Sequence, residues 1–221
     1  MAKSSMLSSS IAKKVAMALS GLFLISFLVL HFSINLTSVF SADVFNECSH
    51  FMGYNPLIQY VMQPILAFGV VFHFVMGFVL ELKNRAARPV AYAKNNGAAN
   101  SSWASRNMII SGLVVLAFLG LHFYDFWFPE MVYKYVEASP EDSTRYFGEL
   151  VHKFESPVRT GLYCLAFVLL ALHLWHGFNS SMQSVGFNNK FSRGLHKLGY
   201  AFAIIVPFGF IFIALFHHFN Q

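Results

Sequence analysis

Charge is what this chain has least of. Asp, Glu, Lys and Arg make up 11% of its 221 residues, against 56% hydrophobic and 17% aromatic. A soluble domain of this size needs more polar surface, so that class is excluded and the composition reads as a polytopic membrane protein, with a mean hydropathy of +0.54. Cysteine is scarce as well. Cys48 falls in a predicted loop and Cys164 in an apolar run, and a bridge would need both at one depth, which argues against a disulfide. The net charge of +5 does not indicate nucleic acid, because the basic residues sit in short loops beside apolar runs, the pattern that orients a membrane protein.

What is present is a set of long apolar runs. Stretches free of Asp, Glu, Lys and Arg cover 15–42, 48–80, 107–124, 160–189 and 198–221. A bilayer core about 30 Å thick needs about 20 apolar helical residues, so five spans are predicted, at about 15–39, 56–82, 107–128, 158–185 and 198–216. The chain is expected to be a single all-α transmembrane domain over 1–221, with no internal repeat and no separate soluble domain. Residues 1–14, with Lys3, Lys13 and Lys14, look like the start of a signal peptide. The run behind them is too long for an h-region and lacks a clear cleavage site, so it is read as span one.

The loops separate by charge. Lys3, Lys13 and Lys14 precede span one; Lys83, Arg85, Arg88, Lys94 and Arg106 lie between spans two and three; Lys190, Arg193 and Lys197 lie between spans four and five. The loop after span one has Asp43 and Glu47, and the long acidic segment 130–157 is expected to hold a short amphipathic helix. The positive-inside rule therefore puts the N-terminus in the cytoplasm and the C-terminus outside. Aromatic residues close span three ahead of Pro129, as at a membrane–water interface.

Histidine at membrane depth is costly and persists where it finds a partner. Span four carries two, in the run Leu-Leu-Ala-Leu-His-Leu-Trp-His-Gly-Phe at 169–178, and His31, His73 and His122 each lie well inside another span. At a rise of 1.5 Å per residue, His31 lies about 24 Å and His122 about 21 Å from the inner ends of their spans. His73 lies about 14 Å above the inner end of span two, with His173 at a similar height in span four. Four histidines on four helices thus sort into an outer pair, His31 with His122, and an inner pair, His73 with His173, roughly 10 Å apart in depth. Two stacked bis-imidazole haems of b type would have this arrangement, and any haem would be held without covalent attachment, since no Cys-x-x-Cys-His occurs. Gly77 and Gly177 each follow an inner histidine by four residues, leaving room for a macrocycle. The plainer readings are packing histidines or a proton relay. His176 competes with His173, three residues away on the same face. His217 and His218 are expected at the interface, and His50, His152 and His196 in solvent-exposed loops.

These residues resemble the cytochrome b membrane anchor of succinate:quinone oxidoreductases (succinate dehydrogenase/fumarate reductase), in the single-chain, five-helix, di-haem form. The resemblance spans nearly the whole chain. It rests on Ser20-Gly21 with His31 ten residues on and Asn35-Leu36 behind it, His73-x-x-x-Gly77, Gly112 ahead of Leu121-His122-Phe123-Tyr124-Asp125, and His173-x-x-x-Gly177 with Gly186 thirteen residues from the ligand. That last spacing favours His173 over His176. The resemblance implies two haem b groups, His31 and His122 on the outer iron and His73 and His173 on the inner. It implies a partner flavoprotein subunit carrying the dicarboxylate site, an iron–sulfur subunit docked on the basic face, menaquinone as quinone substrate, and the bacterial cytoplasmic membrane as location. The chain would then be the quinone-reactive part of respiratory complex II. Some relatives have a glutamate two residues before the fourth ligand as a proton route; here that position is Ala171. Glu47, His50, Tyr124 and Asp125 are the polar residues within reach of a quinone at the outer face. Alternatives are the di-haem anchor of a hydrogenase or formate dehydrogenase, or a transporter using histidines for protons or metal ions. Against a transporter, the spans contain almost no carboxylates and no inverted repeat.

Overall fold

A computed structural model describes residues 9–86 and 106–220. The charges expected at Lys3, Arg88 and Lys94 lie outside the described residues. Among those described, five helices are long and apolar enough to cross a membrane and no strand occurs. The chain is an all-α, multi-pass membrane protein. A lipid-crossing backbone must satisfy its own hydrogen bonds, and the helix does so within one segment.

Helix α1 runs Ser10–Phe40, opened by the Ser9 side chain accepting from the Ala12 amide. It stops at Ser41, which turns the chain in one extended residue and caps α2 (Ala42–Tyr54) through its own hydroxyl. Sequence reading expected a loop here. The segment is helical, and it buries Phe45 and Asn46. Asn46 ties the connections together, donating to the Thr144 carbonyl at 3.0 Å and accepting from the Phe147 amide at 2.7 Å.

Helix α3 (Ile58–Ala86) begins with a wide π turn over Ile58–Met62, just before Pro64. Helix α4 (Met108–Val136) passes the predicted end of span three at Phe128 by about two turns. Pro129 has no N–H, and an α-helical bond from it would fall on Asp125, inside the π turn Phe123–Trp127. That wide turn absorbs the defect and the helix continues. The short amphipathic helix is α5 (Arg145–Phe154), which buries Leu150 and Phe154.

Helix α6 (Pro157–Ser184) is capped by Ser156. It ends at Gly186, whose φ of +91° is one only glycine adopts freely. After a single 3-10 turn, α7 runs Arg193–Phe219. His50, His152 and His196, expected in loops, lie on α2, α5 and α7.

Four spans form a ring: α1 packs on α3 and α6, and α4 packs on the same two. Helix α1 therefore faces α4 across one diagonal, and α3 faces α6 across the other. Helix α7 lies outside the ring in the groove between α1 and α6. Gly199 and Gly209 let it close in, since a Cβ on either would stand 2.0 Å from Phe178 or 2.4 Å from Phe32. Only 6% of the apolar windows of α3 and α4 is buried, against 39% for α7, so α3 and α4 turn most of their surface outward to the membrane.

The expectation of no internal repeat fails. Residues 17–32 and 108–123 share Met-x-x-Ser-Gly-Leu-x-x-x-x-Phe-Leu-x-Leu-His-Phe, nine identities in sixteen positions at an offset of 91. His73-x-x-x-Gly77-Phe78 and His173-x-x-x-Gly177-Phe178 match at an offset of 100. Each half is a span, a short connecting helix and a second span, with α7 added to the second half.

Candidate functional site

The ring turns all four intramembrane histidines inward, and each pair meets across a diagonal. His31 on α1 faces His122 on α4 with ring centroids 5.6 Å apart and planes at 87°. His73 on α3 faces His173 on α6 at 6.4 Å and 74°. The partners are those the depth argument paired. Neither pair is joined by a direct hydrogen bond.

The inner pair is held by hydroxyls. Ser20 Oγ lies 3.0 Å from His73 Nδ1, and Ser111 Oγ lies 3.3 Å from His173 Nδ1. The glycine after each serine admits the ring edge: a Cβ at Gly21 would stand 3.3 Å from His73 Cε1, and one at Gly112 would stand 3.5 Å from His173 Cε1. The repeat extends to the next turn, where Gly77 faces the Met17 methyl and Gly177 the Met108 methyl, at 3.6 and 3.4 Å from the built Cβ positions. The space beside each inner histidine is thus bordered by glycine and a flexible thioether.

Aromatic rings surround the outer pair. Phe27 stacks on His31 at 5.5 Å and its repeat counterpart Phe118 lies 5.9 Å from His122. Phe210 from α7, Phe126 and Tyr163 complete the cage. His122 Nδ1 is buried with no hydrogen-bond partner, a polar atom left unsatisfied in an apolar cage.

His176 faces away from the pairs. It lines a polar cleft of about 380 Å³ with Asn179, Ser180, Gln183, Asn188, His196 and Tyr200, between the inner ends of α6 and α7. There His196 Nδ1 lies 2.6 Å from Asn179 Oδ1. His217, expected at the interface, is buried, with Nε2 2.8 Å from Ser38 Oγ, and ties α7 to α1. His218 Nδ1 meets the Phe154 carbonyl at 2.8 Å.

The outer polar residues divide. Glu47 and Tyr124 are exposed. His50 is half-buried, its Nε2 2.7 Å from Glu141, its ring stacked on Tyr54 and its Nδ1 buried without a partner. Asp125 is only 1% exposed, although a water-facing position was equally open to it. It is ion-paired with Arg159 and accepts from Tyr163 Oη at 2.9 Å. Three residues along the same helix from His122, it is the carboxylate built into the outer half of the bundle.

A second charged group, missed in the sequence, clamps α2, α4 and α5. Glu130 stands between Lys134, at 2.5 Å, and Arg145. Arg145 also reaches Glu149 at 2.6 Å, and Lys134 lies 4.1 Å over the Tyr54 ring. Gly53 makes the approach possible, since a Cβ there would stand 3.1 Å from Lys134 Nζ. Burial, and then the negative charge of Glu130, push the Tyr146 phenol above its ordinary pKa. These residues are separated by up to 96 positions in the chain, with no local motif; the i,i+4 pairs Glu130/Lys134 and Arg145/Glu149 were the signals available.

No family model matches the chain, and no curated protein or solved structure is significantly similar to it. The function rests on the residues and their geometry.

Proposed function

We propose that the chain is the di-haem cytochrome b anchor of a succinate:quinone oxidoreductase, relaying electrons between an iron–sulfur subunit and menaquinone. The observation that carries this reading is the pair of imidazole diagonals at two depths of one helix ring. Two imidazoles bonded to one ion from opposite sides, at about 2.0 Å each, put their ring centroids about 6 Å apart, near the 5.6 and 6.4 Å seen. Each site offers two donors, and among the described residues no three or more His, Cys, Asp or Glu side chains gather to enclose a free ion. A bare zinc ion takes four ligands, whereas a haem iron would need only the two imidazoles that each pair offers. Bound between His31 and His122 or between His73 and His173, haem b would supply a one-electron centre suited to electron transfer rather than oxygen chemistry.

The chain's residues have distinct tasks in this reading. His73 and His173 hold the inner group and His31 and His122 the outer. The aromatic cage of the outer pair excludes water, and the inner serines orient the rings. Lys83, Arg85, Lys190, Arg193 and Lys197 give the inner face the charge for docking an iron–sulfur subunit, with dicarboxylate chemistry on the flavoprotein beyond it. Quinone reduction at the outer end needs a group that exchanges protons with water. His50, paired with the exposed Glu141, has that access; Asp125 is sealed.

Purification of the full chain from membranes tests the reading. A flavoprotein and an iron–sulfur protein should accompany it, with two haem b per chain. A different dehydrogenase or hydrogenase partner would reassign the complex, and a stable five-helix chain without haem would remove the reading.

A further inference from the structure

The Ser-Gly step places a hydroxyl against Nδ1 of each inner imidazole. A serine hydroxyl has one hydrogen to donate. Ser20 Oγ donates it to the Met17 carbonyl at 2.8 Å, so toward His73 Nδ1, 3.0 Å away, it acts as acceptor. With the hydroxyl hydrogen directed to Met17, the Nδ1–H tautomer of His73 is the one that completes this contact, and it leaves Nε2 a lone pair. Ser111 repeats the arrangement from the other half, donating to the Met108 carbonyl at 3.0 Å with its Oγ 3.3 Å from His173 Nδ1, so the same tautomer completes the contact there. The outer pair lacks this contact at His122, whose Nδ1 is buried and unpartnered.

Two occurrences at equivalent positions of a repeat make this a built feature of the inner pair. Ser20 and Ser111 are offset by 91, as are the glycines that follow them and the methionines whose carbonyls they engage. A ring nitrogen that donates to a fixed acceptor is locked in orientation and tautomer, and the opposite nitrogen becomes a more basic ligand.

We propose that Ser20 and Ser111 are positioning residues that hold the inner imidazoles as Nδ1–H tautomers and strengthen Nε2 as the donor to iron. This rests on the haem reading above. A more basic imidazole favours ferric over ferrous iron, so removing the hydroxyl shifts the inner haem toward the ferrous state. Its midpoint potential rises while that of the outer haem stays put.

Redox titration with low-temperature EPR on membranes holding the full chain tests this, in wild type, Ser20→Ala, Ser111→Ala and Ser20→Thr. The inner signal is identified as the one missing from His73→Ala. Both alanine variants are expected to keep two haems and raise the inner midpoint, up to a tenfold change in the ferric-to-ferrous ratio, or about 59 mV for one electron. Threonine, which keeps the hydroxyl, is expected to restore the wild-type value. An unmoved inner midpoint in both alanine variants, with both haems present, overturns the proposal. If Ser20→Ala loses the inner haem, retention in Ser20→Thr supports the hydroxyl, and loss in both overturns it by assigning the effect to shape. Absence of haem from wild type overturns the functional reading itself, and the proposal with it.

Discussion

The inner and outer histidine pairs occupy the same helix ring, on the two diagonals, yet they are held by different means. The inner rings are oriented by hydroxyls from Ser20 and Ser111 and admitted by glycine. The outer rings sit among phenylalanines, with His122 Nδ1 unpartnered and the Asp125, Arg159 and Tyr163 group close behind. One repeat has thus been specialised at its two ends. The inner end fixes direction through hydrogen bonds, and the outer end relies on packing and keeps its charge sealed a turn away.

The largest effect expected is loss of a whole site. His73→Ala or His173→Ala should each remove the inner haem and leave the outer, while His31→Ala or His122→Ala should do the reverse, as read by haem quantitation. His176→Ala should keep both, because His176 lines the cleft toward α7. Loss of both haems from any single variant would mean that the pairs do not act separately.

The next effect is confined to the outer end. Asp125 is fully buried against Arg159, so Asp125→Asn strands the guanidinium and should cost about 3 kcal/mol of stability, read as a lower melting temperature in detergent. The inner Ser20→Ala should melt close to wild type. Equal losses in the two would erase the contrast drawn between hydroxyl grip and sealed charge.

Smaller effects separate the glycines. Gly21→Ala would bring a methyl to 3.3 Å from His73 Cε1, so the inner haem's absorption band and potential should move. Gly120→Ala meets nothing within 4 Å and should add about 0.5 kcal/mol through helix propensity, with both haem spectra unchanged. Smallest of all is Glu47→Gln. This exposed side chain should leave haem content intact and stability within about 0.5 kcal/mol of wild type.

Much of this architecture was legible in the sequence, because membrane spans obey a length rule and charges sort the loops. Five spans, their alternation and the depth matching of His31 with His122 and His73 with His173 need only counting. Other features depend on contacts that counting cannot supply. Helix α2 was hidden because its short polar stretch matches a loop as well as a helix, and its partner Phe147 lies far along the chain. Pro129 reads as a stop unless the π turn before it is known. The repeat escaped because its two parts carry different offsets, 91 and 100, so no single shift aligns the halves. Asp125 looked like a helix-end residue; Arg159 and Tyr163, which bury it, come from another span. His217 passed for an interfacial residue until Ser38 was seen beside it.

The most direct test is haem stoichiometry by pyridine haemochrome with a reduced-minus-oxidised spectrum, on the purified full chain and on His73→Ala and His122→Ala. Two haem b per chain, falling to one in each variant with the remaining spectra distinct, is the predicted result. A wild-type chain that folds as five helices without haem would contradict the account and leave only its topology standing.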